Sequence, residues 1–218
     1  MATTVSMTNI VANNGKGWFP ATRGNCSWQL SSITPGDGAA SSIKIIPSGA
    51  GEVTLTSAAH DLVASHKYYV TFKIRFEAAV TGTCDWYWPI AEPAAAANIA
   101  VNAAAGTWTR LSAVFDRTSF ADGAYTCRFD YNNNDGGNRT FWFTSCMLID
   151  LTAAFGAGKE PSKEWLDNHI TAFSDTPTVQ YIDNLGELFK DIADAIRAKS
   201  GQTGEIMACD FADRIRAL

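Results

Sequence analysis

The stretch "YYVTFKIRF" alternates along its length. Tyr68, Val70, Phe72, Ile74 and Phe76 share one face, and Tyr69, Thr71, Lys73 and Arg75 share the other. Period two predicts a strand with one face in a core and the other toward water. "WTRLSAVF" repeats the pattern, with Leu111, Ala113 and Phe115 pointing one way. "YTCRFDY" sets Tyr125, Cys127, Phe129 and Tyr131 against Arg128 and Asp130. "RTFWFTSCMLI" is apolar on both faces, and "SSIKII" and "GEVTLTS" are shorter strand candidates. About seven or eight strands follow, joined by Gly-, Asn- and Pro-containing loops. The helical crossovers of a parallel sheet are missing, so two antiparallel sheets packed face to face are expected. "EPAAAANIAVNAAAG" has alanine's helix propensity, but Pro93 precedes it and its apolar pattern is weak. It reads as loop and edge strand. In "CDWYWPI", Trp86 and Trp88 alternate with Tyr87, which predicts a core position for the tryptophans and an outward one for Tyr87.

The pattern changes twice beyond this region. Residues 153–184 read as a linker segment with a short helix, within a stretch rich in acids. Residues 185–218 shift to helical spacing. Leu185, Leu188, Phe189, Ile192, Ala195 and Ile196 form a stripe, and Gly201 is placed to end the helix. A second short helix, "CDFADRIRAL", brings Phe211 and Ile215 four residues apart. A helix this short is marginal in water, so the stripe must pack on something. Packing on its neighbours in the chain and packing on another subunit both satisfy it. Leu188, Phe189, Ile192, Ile196, Phe211 and Ile215 are the candidate oligomerisation residues.

Composition narrows the function. The chain has 218 residues, 46% of them hydrophobic, enough for one large domain with a small appendage. A net charge of −5 argues against a free nucleic-acid partner. There is no 18-residue apolar run to insert into a membrane. The N-terminal stretch lacks the basic start and apolar core of a cleaved signal, which predicts folding in a cytosol or export without one. Five cysteines, with no C-x-x-C pair, read as small buried hydrophobes. The sequons at Asn25 and Asn138 are read as chance matches.

No pattern predicts an enzyme. His60 and His66 lack an H-E-x-x-H arrangement, no G-x-S-x-G elbow occurs, and "GAGKE" lacks P-loop spacing. The aromatic and amide groups say more. Tyr87, Tyr131, Asn132, Asn133 and Asn134 combine flat rings with hydrogen-bonding amides, a mixture that suits a sugar. Ordinary turn chemistry explains the asparagine loop equally well. Asp130 and Asp150 are candidate ligands for a structural calcium, which takes oxygen donors. No other cofactor is expected.

Three stretches carry a resemblance. The order "NIVANNGKGWF", "SSIKIIPSG", "HKYYVTFKIRF", "GTWTRLSAVF", "FWFTSCMLIDLT" resembles the jelly rolls of the carbohydrate-binding-module superfamily over residues 8–152. "MLIDLTAAFGAGKEPSKEWLDNHI" resembles a segment that follows such jelly rolls in phage and prophage tail and fibre proteins. "LFKDIADAIRAKSGQTGEIMACDFADRIRAL" is similar to a C-terminal module of phage structural proteins, departing at Ala208–Cys209, where a proline-serine pair is common. The resemblance implies a mainly β fold: a two-layer antiparallel jelly-roll sandwich (1–152), a linker (153–184) and a small C-terminal helical module (185–218). It implies a virion structural protein of a fibre, tail tip or capsid decoration, made in the bacterial host cytoplasm. Expected partners are further copies of the chain, as a trimer by fibre analogy, other virion proteins, and host-surface glycan as the candidate ligand. The alternatives are a virion protein without sugar binding and a carbohydrate-binding module of a bacterial surface protein.

Overall fold

The alternating stretches become strands of two antiparallel sheets. The computed structural model describes residues 3–12, 22–49, 52–88, 95–117, 120–132, 139–181 and 185–201. Its strands are β1 (Thr3–Ser6), β2 (Thr22–Gly24), β3 (Cys26–Ser31), β4 (Ser42–Pro47), β5 (Val53–Leu62), β6 (Lys67–Phe76), β7 (Val80–Tyr87), β8 (Ala97–Ala103), β9 (Trp108–Asp116), β10 (Gly123–Asn132), β11 (Phe141–Asp150) and β12 (Thr178–Tyr181). The helices are α1 (Leu151–Phe155), α2 (Lys163–His169) and α3 (Leu185–Ser200). One five-stranded sheet runs β2-β5-β10-β7-β8 and the other β3-β4-β11-β6-β9. The alanine-rich stretch is β8, at an edge as its pattern predicts.

The inner faces of the two sheets form the core. Phe72 meets Phe129 edge-on at 5.3 Å and stacks with Phe143 at 5.2 Å, while Trp86 and Trp88 are fully buried. Inward side chains of β6, β10 and β11 thus interdigitate as the period-two reading requires. Three cysteines, Cys84, Cys127 and Cys146, are buried core residues. Burial pushes the Cys127 thiol up to about 12, so it stays protonated and packs as a hydrophobe.

The central strand β11 is buried on both faces, and a bulge explains its register. Pairing with β6 shifts between Thr144 and Met147, and Ser145 adopts φ 55°. The extra residue switches the parity, so Phe141, Phe143, Cys146 and Leu148 all enter the core. Beyond the bulge Asn9 takes over from β4. Its Oδ1 accepts from Leu148 N (2.9 Å) and Val11 N (3.2 Å), and its Nδ2 donates to Cys146 O (3.1 Å).

Residues 151–177, read as the start of a linker, fold in one compact unit with the sandwich, Ser6–Pro177. The sequence there lacks a long periodic element, but its apolar residues are spaced to cover a sheet. Leu151, Phe155, Leu166, Ile170 and Phe173 are all buried. Asp150 caps α1 through Ala153 N (2.9 Å), and Ser162 caps α2 through Trp165 N (3.2 Å). At Gly38 the backbone has φ 106°, and a Cβ there would lie 2.9 Å from the Phe173 carbonyl oxygen. Only glycine fits that approach.

The second unit comprises Met1–Val5 and Thr178–Leu218. In it β1 pairs with β12, and α3 ends at Gly201, whose N–H donates to Arg197 O (2.8 Å) at φ 70°. Ile192, Ala193 and Ile196 pack together. Ala193 lies in this stripe and Ala195 is exposed, the reverse of the sequence reading. At about 100° per residue, Ala193 lies about 60° from Ile196, within the stripe, and Ala195 about 100° from it, outside. Among the described residues no helix is long and apolar enough to cross a membrane.

Candidate functional site

The outer faces of the two sheets differ in what lies on them. On the second sheet, Tyr69 and Thr71 are as buried as the core side of β6. The cover is the chain itself. Asp167 on α2 accepts from Tyr69 Oη, Ser112 Oγ and Lys163 Nζ, each at 2.7 Å. Arg110 donates through Nε to Thr71 Oγ1 (2.9 Å), through Nη1 to the Asp167 carbonyl (2.8 Å) and through Nη2 to Tyr69 Oη (2.7 Å). Burial works against the Asp167 charge, but the hydrogen bonds from Lys163, Ser112 and Tyr69 hold its carboxyl below the usual range. Burial raises the Tyr69 phenol well above its ordinary value. Further along the same face Asp37 bonds Lys73 Nζ (2.9 Å) and Ser145 Oγ (3.2 Å). These groups are occupied with one another and pin α2 and the 33–41 loop to the sheet. Beside them, Arg110, Ser112, Lys163 and Asp167 join Ile99, Ala100 and Leu111 around a hollow of about 380 Å³.

On the first sheet the outer face carries rows of polar side chains set by strand register. Asp130 stands opposite Thr54 on β5 and opposite Asp85 on β7, and Asp85 stands opposite Asn98 on β8. One residue pair along, Arg128 faces Tyr87. Asn98 Nδ2 donates to Asp85 Oδ1 (2.6 Å). The Arg128 guanidinium lies 3.9 Å from the centre of the Tyr87 ring, and its Nε is 2.8 Å from Asp130 Oδ2. Asp130 is fully buried, whereas Arg128 and Tyr87 are partly exposed. Burial, then the Glu52 carboxylate, raise the Asp130 carboxyl to about 6, against the opposing pull of Arg128 and Thr54. Burial also raises Asp85, with the Asn98 bond acting the other way.

The sequence-derived candidates fall unevenly on this geometry. Tyr87 lies on the outer face, and Asn132 sits in register with Thr83 on the same strand pair. Tyr131 is a correction. Its ring is 1% exposed and packs against Phe76 (5.0 Å) and Phe141 (5.5 Å), because alternation from Phe129 turns it inward. Asn133 and Asn134 lie outside the described residues. Asp130 and Asp150 belong to different sheets, and Asp130 is ion-paired with Arg128. Asp150 caps α1 and bonds His66 Nδ1 (2.8 Å). Among the described residues no group of three His, Cys, Asp or Glu side chains is placed to hold a metal ion. Of the oligomerisation candidates, Leu188, Phe189, Ile192 and Ile196 fall in α3, while Phe211 and Ile215 lie outside the described residues. Sequence reading missed Arg128 as the partner of Tyr87, and Asp85 and Asn98 as a bonded pair on the same face. The signal was their shared parity on three strands, which pays no dividend until strand order is known.

No protein-family model matches the sequence, and no curated protein matches it. Solved structures do. An α-L-arabinofuranosidase, MgGH51, in its arabinose-bound form, aligns with 67% of this chain and 26% of its own at 15% identity and a TM-score of 0.50. A glycoside hydrolase family 43 arabinoxylan arabinofuranohydrolase from Bacillus subtilis aligns with 60% of this chain and 26% of its own, at 14% identity and a TM-score of 0.45. A carbohydrate-binding module of lichenase 5A from Cellvibrio mixtus, in complex with cellotriose, aligns with 69% of this chain and 98% of its own at 13% identity, with a TM-score of 0.44. The chain thus spans about a quarter of each enzyme and nearly all of the module. The sandwich is a two-sheet antiparallel fold of jelly-roll type, similar to the matched part of the arabinofuranosidase.

Proposed function

We propose that the sandwich binds glycan on the outer face of its first sheet. The observation that carries this reading is the row of Tyr87, Arg128, Asp85 and Asn98 across three adjacent strands of a carbohydrate-binding-module-like jelly roll. Tyr87 supplies a ring for the C–H face of a sugar, and the charged and amide groups beside it supply hydrogen-bond partners for hydroxyls. Support for choosing this face comes from the second sheet, where α2 of the same chain covers Tyr69 and ties up Arg110 and Ser112. Binding of the full chain to a glycan array tests it. The expected result is capture of a defined set of glycans, lost in Tyr87→Ala and kept in Lys73→Ala on the opposite face. Equal capture by both variants overturns the site.

The same chain reads as a virion structural protein of a fibre, tail tip or capsid decoration, in which the second unit provides attachment. The stretches 147–170 and 188–218 support this through their likeness to phage tail and structural modules, and α3 supports it through its apolar face. In this reading the partners are further copies of the chain, with a trimer preferred, or other virion proteins. A mass-spectrometric inventory of purified virions is expected to contain the chain. Its absence there favours a binding module of a bacterial surface protein. Light scattering of the full chain against one ending at Asn184 is expected to show assembly only in the former.

A further inference from the structure

Arg128 occupies the very plate that a sugar would need. Its guanidinium carbon sits 3.9 Å from the Tyr87 ring centre, at stacking distance, and Asp130 Oδ2 lies 2.8 Å from its Nε as an ion pair with no hydrogen bond aligned between the two atoms. Asp130 in turn is fully buried on an outer sheet face, where a carboxylate loses hydration and depends on its neighbours. The charged and titratable groups around it are few among the described residues. Arg128 lies on its own strand. Asp85 and Tyr87 face it from β7, Glu52 stands ahead of β5, and β5 adds the Thr54 hydroxyl. From β8 comes the uncharged Asn98, which is bound to Asp85.

We propose that Asp130 gates the Tyr87 plate: ionised, it clamps Arg128 over the ring, and protonated, it releases the guanidinium so that a neutral sugar can stack there. The proposal rests on the glycan reading of this face for its ligand, but the gate itself is a property of three side chains. Released, Arg128 has Asp85 within reach on the adjoining strand, and there it becomes a hydrogen-bond donor at the edge of the plate. Three carboxylates around one guanidinium give this face a negative balance, which disfavours acidic polysaccharide while Asp130 is ionised. Burial and Glu52 raise the Asp130 carboxyl to about 6, so the gate opens in mildly acidic solution.

The full chain, isotopically labelled, is titrated from pH 4 to 8 while the Asp130 carboxyl carbon and Tyr87 ring signals are followed by NMR. The expected result is one midpoint near 6 shared by both residues. In Arg128→Gln the Tyr87 ring is expected not to respond, and in Asp130→Asn it is expected to hold its acid-side position throughout. If Asp130→Asn fails to fold, the wild-type titration and Arg128→Gln still decide. Tyr87 signals that stay fixed while Asp130 titrates overturn the gate, as does an Asp130 midpoint near the ordinary carboxylate value. Xylohexaose and cellotriose then serve as probes by calorimetry. A closed fraction that cannot bind scales the apparent affinity, so binding at pH 5 is expected to be up to about 30-fold tighter than at pH 7.5. Equal affinity at both values overturns the gate. A Tyr87 ring that follows Asp130 while neither probe binds supports the gate and counts against the glycan reading.

Discussion

The outer faces of the two sheets carry similar side chains and meet opposite fates. Each has a tyrosine, an arginine and an aspartate within hydrogen-bond or stacking reach. On the second sheet, Tyr69, Arg110 and Asp167 saturate one another and anchor α2, so polar residues become a glue between layers. On the first sheet, Tyr87, Arg128 and Asp130 form a smaller set with Arg128 and Tyr87 partly exposed. The difference lies in the chain's route. After β11 it crosses the second sheet through α1 and α2, and Leu166 and Ile170 bury against that side. A polar row covered by its own chain in this way stabilises the fold.

The largest expected effect calibrates the core that both faces share. Phe72→Ala is expected to lower stability by about 3–5 kcal/mol in denaturant unfolding, since its ring touches both sheets. A loss below about 1 kcal/mol would break the two-layer description. On the covered face, Asp167→Ala removes three hydrogen bonds to a charged group, and a loss of about 2–3 kcal/mol is expected in the same assay.

The two aspartates give opposite signs with pH. Asp130 has a raised native pKa, so the folded state binds more protons than the unfolded one between about pH 4 and 6. Stability from this group falls as pH rises through that window, on the order of 3 kcal/mol in all. Asp167 has a lowered native pKa. Its contribution is present above the ordinary carboxylate value and is lost as pH falls toward its native pKa. Urea unfolding from pH 3 to 7 is expected to flatten the first slope in Asp130→Asn and the second in Asp167→Asn. The smallest effect belongs to the open face. Tyr87→Ala is expected to lower stability by about 0.5–1 kcal/mol, the worth of its Arg128 stacking contact, while abolishing glycan capture. A loss comparable to that of Asp167→Ala would erase the distinction between the faces.

Much of the sandwich was legible along the chain. Period two in β6, β9 and β10 assigned Phe72, Leu111, Phe115 and Phe129 to the core, and "RTFWFTSCMLI" read as a strand apolar on both faces, which the sheet order places at its centre. The helical stripe and Gly201 located the end of α3. These features are local: burial of one face imposes a period that any nine or ten residues display. Tyr87 was legible as an outward ring for the same reason, and Tyr131 should have been read inward by the alternation that placed Phe129.

What tertiary structure alone decided are the meetings of distant residues. Tyr69 and Thr71 read as solvent-facing, yet α2 covers them from almost a hundred positions away in sequence. Asn9 closes the ladder of β11 across 139 residues, and nothing in its neighbourhood announces that role. Asp130 reads as an outward strand residue beside Arg128, and only strands β5 and β7 set Thr54 and Asp85 opposite it. Alternation tells which face a side chain takes. It does not tell which strands become neighbours or which face the chain later covers, because those depend on long-range pairing and on the path of the backbone after the last strand.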